Sequence, residues 1–309
     1  MKNKTKVISI VLSFSVFFMF VSCQKQKAEW KGTIEEVDGV TVIKNPKEPI
    51  YSADVFSLEE ELTIENEEGE ERFMFLDIPN LVVDEEENIY VCDTKAAHII
   101  VFDKNGDFLR TIGKKGQGPG EMSYPLDIHI FPQRELMVND VIQLRIHFFS
   151  LNGEYLRGFS TSQLSNFRRP EVDSHGNIVA GSIIFGDELR TVLKKFTSDL
   201  SPVFTITTQP IVSKPPTVEY FEMRRMTNLV WDVTVEDDII WGVAAKYEIF
   251  VHNTEGNLIK KIVREYDGIK ITKKEKEKLI KSFFGDRGVP PSLTLNFPNQ
   301  YPPIHPIYL

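Results

Sequence analysis

The chain has 309 residues, 36 of them basic and 45 acidic, for a formal net charge of −9. That balance excludes nucleic acid as a main partner and leaves a membrane to be met through an anchor rather than through surface charge. Two cysteines cannot build a disulfide framework, so the 41% of hydrophobic residues must supply the core of one large domain.

The first element is a leader over 1–22. Lys2, Lys4 and Lys6 precede the uncharged apolar run "VISIVLSFSVFFMFVS", which is too short for a spanning helix and has the layout of a secretory signal. The residues that close it, "FVSCQ", resemble the lipobox of bacterial lipoproteins, which implies lipid on Cys23 as the mature N-terminus. The alternative is an ordinary signal cleaved nearby, with Cys23 left free. Removing 1–22 takes three lysines and lowers the net charge to −12. Residues 23–38 are polar and read as a tether, and 39–309 as the folded domain.

Within the domain the chain repeats. "NIYVCDTKAAHIIVFDKNGDFLRTIG" (88–113) aligns without gaps on "ELMVNDVIQLRIHFFSLNGEYLRGFS" (135–160), 47 positions on. Weaker copies follow at 176–206 and 238–263. A period of this size marks a solenoid, a propeller or an array. Each unit holds short alternating runs rich in Val, Ile, Phe and Tyr, and "KNGD", "LNGE" and "TEGN" place glycine where a tight hairpin needs positive φ. Four-stranded antiparallel units without helices point to an all-β fold, a β-propeller. Its clear blades are expected over about 77–121, 123–163, 166–206 and 228–264.

The stretch "IPNLVVDEEENIYVCDTKAAHIIVFDKNGDFLRTIGKKGQGPGE" resembles one NHL repeat. Together with the lipobox, the chain is similar to the uncharacterised six-bladed propeller lipoproteins of bacteria. The resemblance implies the fold and carries no activity with it.

Three features depart from a complete ring. Residues 207–228 read as an inter-strand insertion. Residues 273–284 read as one short helix, capped by the "TKKE" box at 272–275 and stopped by Gly285. "PPIHPIYL" near the C-terminus resembles the opening strand of a blade, so a partial blade begins at about 301. Either the sequence is truncated, the favoured reading, or strand-like pieces in 39–76 close the ring.

Candidate chemistry is sparse. The glycine cluster "GKKGQGPGE" has no helix after it to face an anion, and reads as a turn between blades. Asp127 and His129 alternate on the inner strand "DIHIF", where they could hold a metal or move a proton, though a hydrogen-bonded structural histidine is the commoner role. Asp93 and Asp140 recur at one blade position, which suggests acceptors for turn amides. Arg168 with Arg169, and Arg224 with Arg225, could meet an acidic ligand. Trp231, Trp241, Tyr220 and Phe221 could line a mouth of the propeller or simply pack in the core. No zinc spacing exists among the six histidines, no metal or cofactor is expected, and Cys92 falls inside a strand where thiols are inert.

These features describe an exported, lipid-anchored binding module of the bacterial cell envelope, outer membrane favoured over inner. Its partner would be an envelope protein, a peptide or a glycan. The competing reading is a propeller enzyme of the lactonase or lyase kind, with a channel metal near Asp127 and His129.

Overall fold

A computed structural model of the chain describes residues 30–48, 57, 59–64, 75–164, 167–185, 190–210, 229–243 and 246–289. The leader, Cys23, Tyr220, Phe221, Arg224, Arg225 and the partial blade expected from about 301 lie outside them.

The chain opens with a hairpin of β1 (Thr33–Val37) and β2 (Val40–Asn45). Four sheets follow in chain order. The first holds β3 (Asn80–Val83), β4 (Ile89–Asp93), β5 (His98–Phe102) and β6 (Phe108–Ile112). After the two-residue strands β7 (Lys114–Lys115) and β8 (Glu121–Met122), the second holds β9 (Pro125–Phe131), β10 (Glu135–Asp140), β11 (Arg145–Ser150) and β12 (Tyr155–Ser160). The third holds β13 (Arg168–Val172), β14 (Ile178–Ile184), β15 (Arg190–Phe196) and β16 (Pro202–Pro210). The fourth holds β17 (Leu229–Val233), β18 (Ile239–Val243), β19 (Glu248–His252) and β20 (Leu258–Arg264), and α1 (Lys273–Phe284) comes after it.

Within each of these four blades the four strands form an antiparallel meander. The first strands touch in succession, β3 on β9, β9 on β13 and β13 on β17. They are therefore the inner strands of four consecutive blades, and the propeller reading of the sequence holds. Apolar layers fill the spaces between blades. Tyr90, Cys92 and Ile99 of the first pack on Ile128, Leu136 and Val138 of the second. Met137 and Phe148 pack on Ile178 and Phe196 of the third, and Val179 and Leu193 on Trp231, Ile239 and Trp241 of the fourth. With no disulfide among the described residues, this apolar burial holds the blades together.

One turn geometry recurs. In "DKNGD", "LNGE" with Ser150 before it, and "NTEGN", the fourth residue donates its amide to the carbonyl of the first and takes positive φ: Gly106, Gly153 and Gly256. The same turn closes the inner hairpins with Glu87, Arg134, Gly176 and Asp237 in that place, and the third blade's outer hairpin with Leu200. Only three of these turns announced themselves by glycine in the sequence reading.

The N-terminal region differs from expectation. The stretch read as a tether to residue 38 already forms β1 at Thr33–Val37. β2 runs parallel to β20, pairing Thr41 with Lys260 through Asn45 with Arg264, so the hairpin extends the fourth blade to six strands at its rim. β1 is exposed along its whole length and shows no buried face in the sequence. The helix forms where its local signals place it, with the Thr272–Glu275 capping box made in both directions and the Gly285 amide donated back to Lys281.

Candidate functional site at the inner strands

Position within the blade repeat defines the site. His129, Glu171 and Asp232 each stand two residues before the first residue of an inner hairpin turn: Phe131, Asp173 and Thr234. Val82 is their counterpart in the first blade. His129 pairs with Met137, whose side chain faces the third blade, and Glu171 pairs with Val179, which faces the fourth. Opposed residues of an antiparallel pair share a face, so these polar side chains lie where inner strands of neighbouring blades meet.

His129 Nδ1 lies 3.9 Å from Glu171 Oε2, with side chains 17% and 25% exposed respectively. The His129 ring also bonds to the backbone of Pro170, whose only polar backbone group is its carbonyl. Two residues upstream, Asp127 Oδ2 accepts from Asn139 Nδ2 at 2.8 Å. The β13 strand bulges between Arg168 and Glu171, and Arg169 takes φ +45 within the bulge. That non-glycine left-handed residue turns its carbonyl to Trp231, whose Nε1 donates to it at 3.0 Å, while its guanidinium lies 5.4 Å from the indole ring centre. Gly181, opposite Arg168, makes room: a Cβ there would stand 2.5 Å from the Trp231 ring.

Burial sets the protonation states. It pushes His129 down to about 4, outweighing the Pro170 bond. It pushes Glu171 up to about 8, helped by the Asp232 and Asp127 charges and opposed by Arg169. Asp127 is also raised by burial, with Asn139, Arg169 and Arg168 pulling it back. At neutral pH the site therefore holds a neutral imidazole beside a carboxyl that keeps its proton, with Arg169 adjacent. Such a set can donate and accept hydrogen bonds without a net anionic charge, and can give and take a proton.

Residues 47–167 match the model of a family described as a 6-bladed beta-propeller, DUF5128. That stretch spans the first two blades. No curated protein sequence matches the chain. A Bacteroides fragilis crystal structure, provisionally described as that of an exported protein, is similar with a TM-score of 0.56 at 13% identity. The aligned region covers 78% of this chain and 65% of that one, so the chain spans under two-thirds of that protein's length. A virginiamycin B lyase from Staphylococcus aureus aligns at 12% identity and TM-score 0.39, over 59% of this chain and 54% of that one. A member of the duf4221 family from Bacteroides vulgatus aligns at 11% and 0.42, over 61% and 58%. The likeness to the Bacteroides fragilis structure shows a shared fold alone.

The residues singled out from the sequence thus divide. Asp127, His129, Arg168, Arg169 and Trp231 come together on β9, β13 and β17. Trp231 and Trp241 are each only 6% exposed and serve as packing, the latter stacked on Phe250 at 4.3 Å, so neither offers an open platform. Among the described residues no group of three or more His, Cys, Asp or Glu side chains is placed to hold a metal, so the residues present do not fit the channel metal of the enzyme reading. Glu171 and Asp232 escaped the sequence reading, although counting back from the turns of the repeat reaches both.

The remaining motifs are structural. Asp93 accepts the Leu76 amide at 2.8 Å and the Ala96 amide at 3.1 Å, and Asp140 accepts those of Ser123, Tyr124, Ile142 and Gln143. Each ties the entry of its blade to its own second strand. The glycine cluster turns its amides onto the chain itself: Gln117 and Gly118 donate to Glu121 Oε2 at 3.1 and 2.9 Å. Cys92 is fully buried, and desolvation pushes its thiol up to about 12.

Proposed function

We propose that this protein is an exported propeller, lipid-anchored at Cys23 in the bacterial cell envelope on the outer membrane, that binds an envelope protein, peptide or glycan at its inner strands. The observation that carries the reading is the His129–Glu171 cluster with Asp127 and Arg169. A neutral imidazole, a carboxyl with a raised affinity for its proton and an arginine gathered on neighbouring inner strands are groups whose shifted protonation suits a ligand. A cleft of about 400 Å³ lies between the inner turns nearby, lined by Val83, Ile130 and Val172, which neighbour Val82, His129 and Glu171 in the chain. Affinity capture from the envelope, run with wild type and with the His129→Ala/Glu171→Gln double variant, tests it. A component retained by wild type and lost by the variant supports channel binding; identical retention refutes it. Labelled palmitate incorporated into wild type and not into Cys23→Ser tests the anchor.

One observation favours a second reading, acid–base catalysis of the lactonase or lyase kind without a metal. The opposed shifts of Glu171 and His129 give a proton donor and a proton acceptor at the same neutral pH. Turnover of a lactone panel by wild type, abolished in both single variants, would replace binding with catalysis.

A further inference from the structure

A second site lies at the rim, where the N-terminal hairpin joins the fourth blade. Pairing of β2 with β20 ends at Asn45 and Arg264, and a cleft of about 710 Å³ lies against that end of the strands. Lys31, Lys44, Lys246 and Arg264 line it with Tyr247 and Tyr266, against two carboxylates, Glu248 and Glu265. Glu248 is already held by Lys261 at 3.2 Å. Lys44 pairs with Glu35, and the Arg264 guanidinium donates to the Lys47 carbonyl at 2.6 Å and lies 5.5 Å from the Tyr247 ring centre. Lys31 and Lys246 have no carboxylate partner among the described residues. A chain with a net charge of −9 thus concentrates cations in one concave place.

The walls are as distinctive as the charges. The Tyr247 and Tyr266 rings stand 6.4 Å apart at 49°, forming an angled aromatic wall beside the lysines. Trp30 packs against two of the lining residues, Asn45 and Gly32. Its Nε1 donates to Asn45 Oδ1 at 3.0 Å, and its ring folds over Gly32, where a Cβ would stand 2.2 Å from it. Aromatic faces stack on the apolar faces of sugar rings and their hydroxyls meet sugar hydroxyls, while unpaired ammonium groups bind phosphate or carboxylate. The volume falls in the range of small-ligand pockets. From these residues we infer that the rim cleft binds an anionic sugar, its phosphate or carboxylate on Lys31 and Lys246 and its ring against Tyr247 and Tyr266. This site is separate from the inner-strand cluster and does not rest on the function proposed for it.

Tryptophan fluorescence of the Cys23→Ser chain reads the site, because Trp30 is 38% exposed at the rim whereas Trp231 and Trp241 are each 6% exposed. Glucose 6-phosphate is the probe, with glucose and inorganic phosphate as the two separate halves. We expect a saturable change with glucose 6-phosphate that is absent in Trp30→Phe and weaker with either half. Lys31→Gln and Lys246→Gln should each weaken binding about tenfold, the scale of one charge-assisted contact, and Tyr266→Ala should weaken it without altering the response to phosphate. A response to inorganic phosphate equal to that of glucose 6-phosphate would overturn the sugar assignment, and titrations unchanged in both lysine variants would overturn the site. The readout needs neither lipidation nor the channel residues.

Discussion

Replacing Glu171 with Gln tests the inner-strand electrostatics directly. In the folded protein its carboxyl is raised from an ordinary 4.5 to about 8 by burial and by the Asp232 and Asp127 charges. A group whose folded value lies above its unfolded value gives its full contribution below the unfolded value and loses it as pH rises through the folded one. Wild type should therefore lose stability between pH 4.5 and about 8 on account of this residue. At about 1.4 kcal/mol per pH unit the upper bound is about 5 kcal/mol. The side chain is 25% exposed, however, and water reaching it weakens both the burial penalty and the repulsion. About 2 kcal/mol is the expected loss once that screening is included. Gln keeps the shape and cannot ionise. Urea unfolding of both proteins at pH 5, 6, 7 and 8.5 should show Glu171→Gln gaining about 2 kcal/mol on wild type across the series. A difference between them that stays constant with pH would refute the assignment of a protonated Glu171.

His129 predicts the opposite limb: its folded value of about 4 lies below the ordinary 6.5, so stability falls as pH drops through that window, and His129→Gln should flatten the decline when melting is followed from pH 7 to 4. The shared turn predicts a sign change within one geometry. Glu87→Gly, at φ +63, should stabilise by about 0.5 kcal/mol, whereas Gly106→Ala, at φ +86, should cost about 1 kcal/mol in the same denaturant assay. Lys195 and Asp173 form an ion pair at 2.8 Å with side chains 6% and 1% exposed. Lys195→Met should destabilise by about 3 kcal/mol by leaving a buried charge, and adding Asp173→Asn should recover part of that loss, as a double-mutant cycle would show.

Local signals in the sequence reached far into this protein. The 47-residue register, the glycines at 106, 153 and 256, and the capping box at 272–275 mark turns and a helix end, whose geometry depends on residues a few positions apart. The same turn at Glu87, Arg134, Leu200 and Asp237 was silent, because a left-handed residue costs only about 1–2 kcal/mol and packing can hold it there without glycine. Alternation on "DIHIF" found Asp127 and His129. Glu171 was hidden by the bulge after Arg168, which breaks the two-residue period on which such reading depends.

The sequence by itself determined the blades, their order and the inner-strand position of His129, since alternation and turn chemistry are properties of neighbouring residues. Only the tertiary structure decided that β2 lies along β20, more than 200 positions away, that Glu171 meets His129, and that a rim cleft gathers lysines and tyrosines. Strand pairing across such distances, and the desolvation that keeps a proton on Glu171, arise from groups brought together by folding. No run of adjacent residues encodes them.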